Sequence, residues 1–534
     1  MALSLAIVSS LVPAVSYRFP RAAISTIDPL ASAAALGILQ RGGSSSDAAI
    51  AANAVLSVVA PDQCGLGGDL FALVLAPPSA RGPAQVYAID SVGRAGSKVN
   101  AEELRAGGNT TIPRGSMAGV TVPGCVDGWL LLSRRFGLLR LDELLADAAR
   151  YARDGFVASD RLIRHVFESA QLPALQPLVA AIGNPASPNR IINRPGTARV
   201  LDAISKLGRD GFYAGEFGAE LMLMGAGQFT AEDLAQPLAA ISNPIAVEAF
   251  GYNVYANGAP SAGYLALGAL AWLSRDGKCP QFASSGWYAQ QIQAFKATRW
   301  LREYHYDGSL VGELLANRAP SGELRTAEPG GTSPDTTAIV VSDHFGSTTV
   351  IVQSNGHAFG SRLATPDSNI FLHDRGAVGF NLREGDPNEL RPGARPRHTL
   401  SPLIATDGTG KLRLVAGTMG GDKQPSILTQ LVTGVLRDGE EPSSVLSAAR
   451  FSFSIPPRGD QAGFDTFDYG EPGISIESNL PKETLVELEA GIGELSRVSP
   501  FTPAAGVSHL IVATDDQLAT AVDPRSEGGS VIGF

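Results

Sequence analysis

The stretch 331-GTSPDTTAIVVSD-343 places Thr336 where a turn-rich run gives way to an apolar one, Ala338 to Val341. A threonine hydroxyl is a weak nucleophile until a base takes its proton. Cleavage of the chain just before the threonine supplies that base, because it frees the residue's own α-amine. Such an amine has a pKa of about 8, so much of it is unprotonated near neutral pH. The arrangement needs a threonine at the start of a buried strand, preceded by a loop able to leave, and GTSPDTTAIVV has that layout. The plain alternative is that threonine favours strands. A second candidate is 415-VAGTMGGDKQPS-426, where Gly420 and Gly421 stand between an apolar run and a helix-like one. Adjacent glycines let two backbone N–H groups turn toward one point, as an oxyanion hole requires. They also suit an ordinary strand-to-helix turn, and no GKS/T follows to make a phosphate loop. In 394-ARPRHTLSP-402, His398 and Thr399 offer donors beside Arg395 and Arg397, a place to hold a carboxylate. A solvated loop is the alternative there, and no GxSxG elbow supplies a serine partner for His398.

The elements that must position these residues follow from periodicity. Residues 46–60, 141–155, 196–211 and 263–274 carry apolar residues at helical spacing, and 424–439 predicts another helix. Strands are predicted at 70–76, 85–90, 336–343, 347–355, 402–406, 412–417 and 509–515, with DHFG (343–346) as a hairpin turn. The first half reads as mostly helical up to about residue 310, and strands come first from Thr336. That order suits a layered α+β sandwich.

With 534 residues, 44% hydrophobic and 18% charged, the chain has enough apolar sequence for a sizeable core. Its net charge is −10, from 42 basic and 52 acidic residues, and it has no basic cluster, which argues against a nucleic-acid partner. Three scattered cysteines (Cys64, Cys125, Cys279) form no CxxC pair, so neither a disulfide framework nor a zinc site is expected. The histidines never reach HExxH spacing; no metal and no other cofactor is expected. The N-terminus, MALSLAIVSSLVPAVSYRF, lacks the basic region of a signal peptide, and no run of about 18 uncharged apolar residues marks a membrane span. The expectation is a cytoplasmic protein without membrane partners, with a periplasmic or secreted location as the alternative.

Taken together, these pieces resemble the γ-glutamyltranspeptidase family of N-terminal-nucleophile hydrolases. In the first half the resemblance is carried by 42-GGSSSDAAIAANAVLSVVAPDQCGLGGDLFALV-74, 119-GVTVPGCVDGWLLLSRRFG-137, 149-ARYARDGF-156 and 251-GYNVYANGAPSAG-263. In the second it is carried by DTTAIVVSD, 353-QSNGHAFGS-361, ARPRHTLSP and 417-GTMGGDKQP-425. The resemblance implies a four-layer αββα sandwich made as one precursor. It implies a cut between Asp335 and Thr336, giving segments 1–335 and 336–534 that stay together as one composite domain. Thr336 would be both the processing hydroxyl and the acyl-transfer nucleophile, with Thr337 in support. Ser354 would bond the nucleophile's amine, and Gly420 and Gly421 would form the oxyanion hole. Asn355, His398 and Thr399 would bind substrate, the latter two at the family's carboxylate-binding serines.

The departures bear on substrate. Where glutathione-cleaving members have a stretch like NNQMDDF, this chain has 373-HDRGAVGF-380. Arg375 falls at the amide position, and Val378 or Gly379 at that of the aspartate which grips the glutamyl amine. An ammonium group thus loses its counter-charge and faces Arg375, which would instead welcome an acid. Arg94 is the candidate for the family's carboxylate-binding arginine, with Lys98 its rival, and Arg362 stands where a glycine is expected. These features resemble the cephalosporin acylase-like and small-amide amidohydrolase branch. The implied activity is autoprocessing followed by hydrolysis or acyl transfer on amides of small acids. A γ-glutamyl transferase or glutathione hydrolase, and an unprocessed binding protein, are the alternatives.

Overall fold

The computed structural model describes residues 14–79, 82–225, 227–304, 315, 335–454 and 473–534. The turn-rich residues 331–334 and the first 13 residues of the N-terminal stretch lie outside the described residues. Two seven-stranded antiparallel sheets face each other. The first runs Ser530–Gly533, Ala23–Thr26, Asp335–Ser342, Thr348–Gly356, Asp69–Ala76, Gln85–Ser91, Ala239–Ser242. The second runs Ser16–Phe19, Leu518–Ala521, Ser508–Ala513, Leu412–Thr418, Leu403–Thr406, Tyr252–Ala256, Ile245–Ala249.

Side chains alternate across a strand, and here both faces are buried, so both sets are apolar. Phe71, Leu73, Ala338, Val340, Val350 and Val352 fill the gap between the sheets together with Ile404, Val415 and Ile511. Their neighbours Leu70, Ala72, Ile339, Val341 and Ile351 pack instead on an outer layer that includes helices Ser45–Val59 and Cys125–Phe136. Leu403, Ala405, Leu414 and Ala416 do the same against Gly263–Asp276 and Gln424–Val432. The result is the four-layer αββα sandwich.

Local chemistry fixes the central hairpin. Asp343 Oδ1 accepts from the N–H groups of Phe345 and Ser347, each at 2.9 Å, and Gly346 takes φ +85°. The other Asp343 oxygen accepts from Ser45 N at 2.7 Å, anchoring the turn to the first residue of a helix that a Ser44–Asp47 capping box starts. The predicted strands and helices are all present. The helix at 424 passes into a π-helical turn, Thr433–Arg437, and that at 196 stops at Leu207 because Gly208 turns the chain at φ +60°. The first half also contributes strands that its helical reading does not single out: Ala23–Thr26, Ala239–Ser242, Ile245–Ala249 and Tyr252–Ala256.

Candidate active site

Thr336 is the second residue of its strand and is 1% exposed. Alternation turns it inward with Ala338 and Val340. Its hydroxyl donates to Ser354 Oγ at 3.0 Å, and Ser354 Oγ donates to the carbonyl oxygen of Asp335 at 2.7 Å. The Gly356 N–H donates to the same Ser354 oxygen at 2.8 Å. One serine hydroxyl therefore joins the threonine hydroxyl to the carbonyl of the preceding peptide bond. Such a chain can pass a proton from the attacking oxygen while polarising the carbonyl it attacks. Thr337, facing the other way, donates to Gln353 O at 3.3 Å and holds the two strands together.

The facing sheet brings the glycine pair to the same end. A Cβ at Gly417 would stand only 3.0 Å from that of Ala338, so the sheets are in close contact there. Just beyond, Met419 lines the same cavity as Asp335. Gly420 and Gly421 follow with φ of +130° and +57°. Two successive left-handed residues are costly for any side chain but glycine's. Among the described residues their N–H groups bond to no acceptor. Asp422 then pairs with Arg302 at 3.0 Å, and Arg302 also donates to His398 O at 3.4 Å, which ties the glycine turn to the ARPRHT segment.

A buried charged floor lies beside Ser354. Asp69 is its cross-strand partner. His373 Nδ1 and His398 Nε2 each approach Asp69 Oδ2 to 3.5 Å, and Asp69 Oδ1 accepts from Gly93 and Gly124. Burial works against the Asp69 charge, but the two histidines and the Gly93 N–H outweigh it and bring the carboxyl down to about 2. Burial, and then Arg375, push His398 down to about 3. His398 is therefore a neutral imidazole near neutral pH, and its Nδ1 accepts from Thr399 N at 3.2 Å. Asp374 is likewise brought to about 2: burial is overcome by His357, 2.5 Å away, and by Arg114, 3.4 Å away.

The expected residues gather unevenly. Thr336, Ser354, Asn355, Gly420, Gly421, His398 and Thr399 are brought to one end of the sandwich. Both amide atoms of Asn355 and the Thr399 hydroxyl are buried without a hydrogen-bond partner among the described residues, as groups reserved for a ligand would be. Arg375 joins this end but is buried, and burial lowers its pKa while Asp374, Asp69 and Asp422 act to hold its charge. Its charge is thus locally compensated. Arg94 is exposed and donates to Gly393 O at 3.3 Å beside the Arg395–Asp90 pair; the structure does not bring it into the group. Arg114 is nearer, donating to the carbonyls of Gly360 and Ala358 and lying within the field of Asp335. Arg362 takes φ +66°, the conformation expected of the glycine it replaces. Sequence reasoning passed over Asp69, Arg114, His373, Asp374 and the Arg302–Asp422 pair. Only the unusual acid in GLGGDLF and the one directly after Gly420–Gly421 gave a signal.

Among the described residues no group of three or more histidine, cysteine, aspartate or glutamate side chains is placed to hold a metal ion, and no helix is long and apolar enough to cross a membrane.

The sequence profile described as Gamma-glutamyltranspeptidase matches residues 31–533. The chain is 29% identical to a glutathione hydrolase-like YwrD proenzyme of Bacillus subtilis, over 94% of this chain and 96% of that protein. It is 30% identical to an oxamate amidohydrolase proenzyme of Klebsiella pneumoniae over the same shares. Among solved structures, a cephalosporin acylase from Bacillus halodurans superposes with a TM-score of 0.84 at 25% identity, covering 100% of this chain and 99% of that one. With its αββα sandwich and a family match across nearly its whole length, the chain belongs to the gamma-glutamyltranspeptidase family and is an enzyme of the γ-glutamyltransferase-like type.

Proposed function

We propose that the chain is the precursor of an N-terminal-threonine amidohydrolase or acyltransferase acting on amides of small acids. The hydrogen-bonded run from Thr336 through Ser354 to the Asp335 carbonyl carries this reading. In processing, Thr336 Oγ attacks the Asp335 carbonyl carbon and its proton passes through Ser354. The C–N bond breaks with the proton delivered to nitrogen, and water hydrolyses the resulting ester. Asp335 becomes the carboxyl end of one segment and Thr336 the amino end of the other. In turnover the new α-amine takes the Thr336 hydroxyl proton and returns it to the leaving amine. Gly420 and Gly421 hold the oxyanion, and water or another amine then releases the acyl group. Asn355 and Thr399 are the substrate's hydrogen-bonding partners.

Intact mass under denaturing conditions tests the reading. Two species, one beginning at Thr336, are expected, and Thr336→Ala should give one uncut chain without turnover. An uncut wild-type chain would return the protein to a binding role. The enclosure of Arg375 by three carboxylates favours a second substrate class, γ-glutamyl compounds, because an ammonium group there meets acids as well as the guanidinium. Comparing γ-glutamyl-p-nitroanilide with glutaryl-p-nitroanilide, which differ in the α-amine, separates the two; a strong γ-glutamyl preference would select the second.

A further inference from the structure

The turn that carries Gly420 and Gly421 uses its carbonyls within itself. Gly420 O accepts from Lys423 N at 3.1 Å and Gly421 O from Gln424 N, while the two glycine N–H groups bond to no acceptor among the described residues. A loop, residues 502–508, ties this turn at both ends. Before the glycines, Met419 N donates to Val507 O at 2.9 Å. After them, Lys423 Nζ donates to Ala504 O at 2.9 Å. Between the two ties, Gly506 lies against the turn itself. Its Cα is 3.7 Å from where a Cβ on Gly420 would stand. A Cβ on Gly506 would come within 2.7 Å of Met419 O and 2.6 Å of Ile427 Cδ1. Gly506 also takes φ +85°, so space and backbone both call for glycine there.

A buried charge cluster anchors the loop in turn. Arg450, Glu477, Asp523 and Arg525 are each at most 3% exposed. Arg450 pairs with Asp523 at 2.7 Å, Arg525 with Asp523 at 3.1 Å, and Arg525 also with Glu477, so two cations meet two acids. The loop hangs from this set at three points. Glu477 accepts from Thr502 N at 3.1 Å, Asp523 accepts from Ser508 N at 2.8 Å, and Arg450 donates to Gly506 O. Breaking such a buried set leaves charges uncompensated, which holds the loop in one position. Every residue named here lies after Thr336, so a cut before Thr336 leaves the arrangement within one segment.

Building on the N-terminal-threonine reading, we propose that loop 502–508 is the frame of the oxyanion hole, with Lys423 and Gly506 as the positioning residues that aim the Gly420 and Gly421 N–H groups. Such donors act where charge develops in the transition state, and their strength depends on being held in place before the reaction. A small displacement of the turn is therefore felt in kcat and leaves substrate binding nearly unchanged.

The test uses protein whose cleavage has been verified by mass, with thermal melting in parallel so that rates refer to folded protein. kcat and KM are measured with glutaryl- and γ-glutamyl-p-nitroanilide, and with p-nitrophenyl acetate as an activated acyl donor. Lys423→Met keeps the apolar stem and removes the donor to Ala504. It should be cut, with kcat down about tenfold or more and KM within about threefold. Gly506→Ala drives a methyl group at Met419 O, and kcat should fall about a hundred-fold, the effect of losing one oxyanion donor. Lys423→Arg, which keeps a donor, should restore kcat to within about threefold. If Gly506→Ala does not fold, Lys423→Met decides alone. Folded variants that keep kcat within about threefold, KM rising at unchanged kcat, or a folded Lys423→Met chain that stays uncut would overturn the frame while leaving the threonine mechanism standing. A wild-type chain that is uncut, or that turns over none of the three probes, would overturn both.

Discussion

Replacing Ser354 by alanine isolates the central step of the proposed processing. The serine hydroxyl makes three contacts: it accepts from Thr336 Oγ at 3.0 Å and Gly356 N at 2.8 Å, and donates to Asp335 O at 2.7 Å. The last is the shortest and points at the oxygen that gains charge as Thr336 attacks. Removing one preorganised donor from a developing oxyanion costs about 10²–10³ in rate, or about 2.7–4 kcal/mol. Losing the acceptor for the Thr336 proton slows the step further. The Gly356 N–H also loses its partner, a stability cost of about 1–3 kcal/mol that acts on the fold and not selectively on the attack. Ser354→Ala should therefore fold, melt a few degrees lower, and process at least about a hundred-fold more slowly than the wild type. The assay is a time course from freshly made precursor, following the uncut fraction by denaturing gel and intact mass, with thermal melting in parallel. Processing within about threefold of the wild type, in a variant that melts cooperatively, would refute the role given to Ser354.

Three other outcomes follow from the same structure. Asn355→Leu should leave the melting temperature unchanged or raised, because both amide atoms are buried without partners and their desolvation is unrewarded, while kcat/KM falls at least about tenfold; a clear loss of stability would mean that the amide serves the fold. In the uncut Thr336→Ala protein the Asp335 carboxyl is raised from 3.8 to about 6, so the unfolded chain ionises first and stability falls as pH rises from about 4 to 6; Thr336→Ala/Asp335→Asn should lack that component, which melting across this range reads directly. Of the three thiols, Cys64 and Cys125 are buried and Cys279 is exposed, and burial pushes Cys64 up to about 12, so a thiol reagent should label one cysteine per native chain and three after denaturation.

The elements that build the site were legible where both faces of a strand are buried. Asp69–Ala76, Asp335–Ser342 and Thr348–Gly356 read as apolar runs because each contributes alternately to the gap between sheets and to the helix layer. Ala239–Ser242 is an edge strand, exposed on most of its length, and offered no such run. The place of Thr336 at the head of a buried strand was legible from its junction, and its proposed role, like those of Ser354, Asn355, Gly420 and Gly421, came from resemblance. What sequence could not supply was the sign of the surroundings. Sequence showed Asp374 beside Arg375 but not the other acids that act on it: Asp69 from the start of another strand and Asp422 from the glycine turn. Naming Arg94, with Lys98 as its rival, and passing over Arg114 had the same cause. Both are arginines beyond the strand Gln85–Ser91, and only the path of the following loop puts Arg114 against Asp374 and leaves Arg94 in water. Arg161 and His165 carry a helical signature, but their shared partner, Asp62, is supplied by another segment of the chain. In a sandwich whose chemistry gathers where strands end, strand periodicity tells which side chains face inward. Which charges meet there is decided by chain paths between strands, and those paths leave little periodic trace. That is why Thr336 could be placed on its strand from sequence, while the cluster of Asp62, Arg161 and His165 emerged only once the strands were stacked.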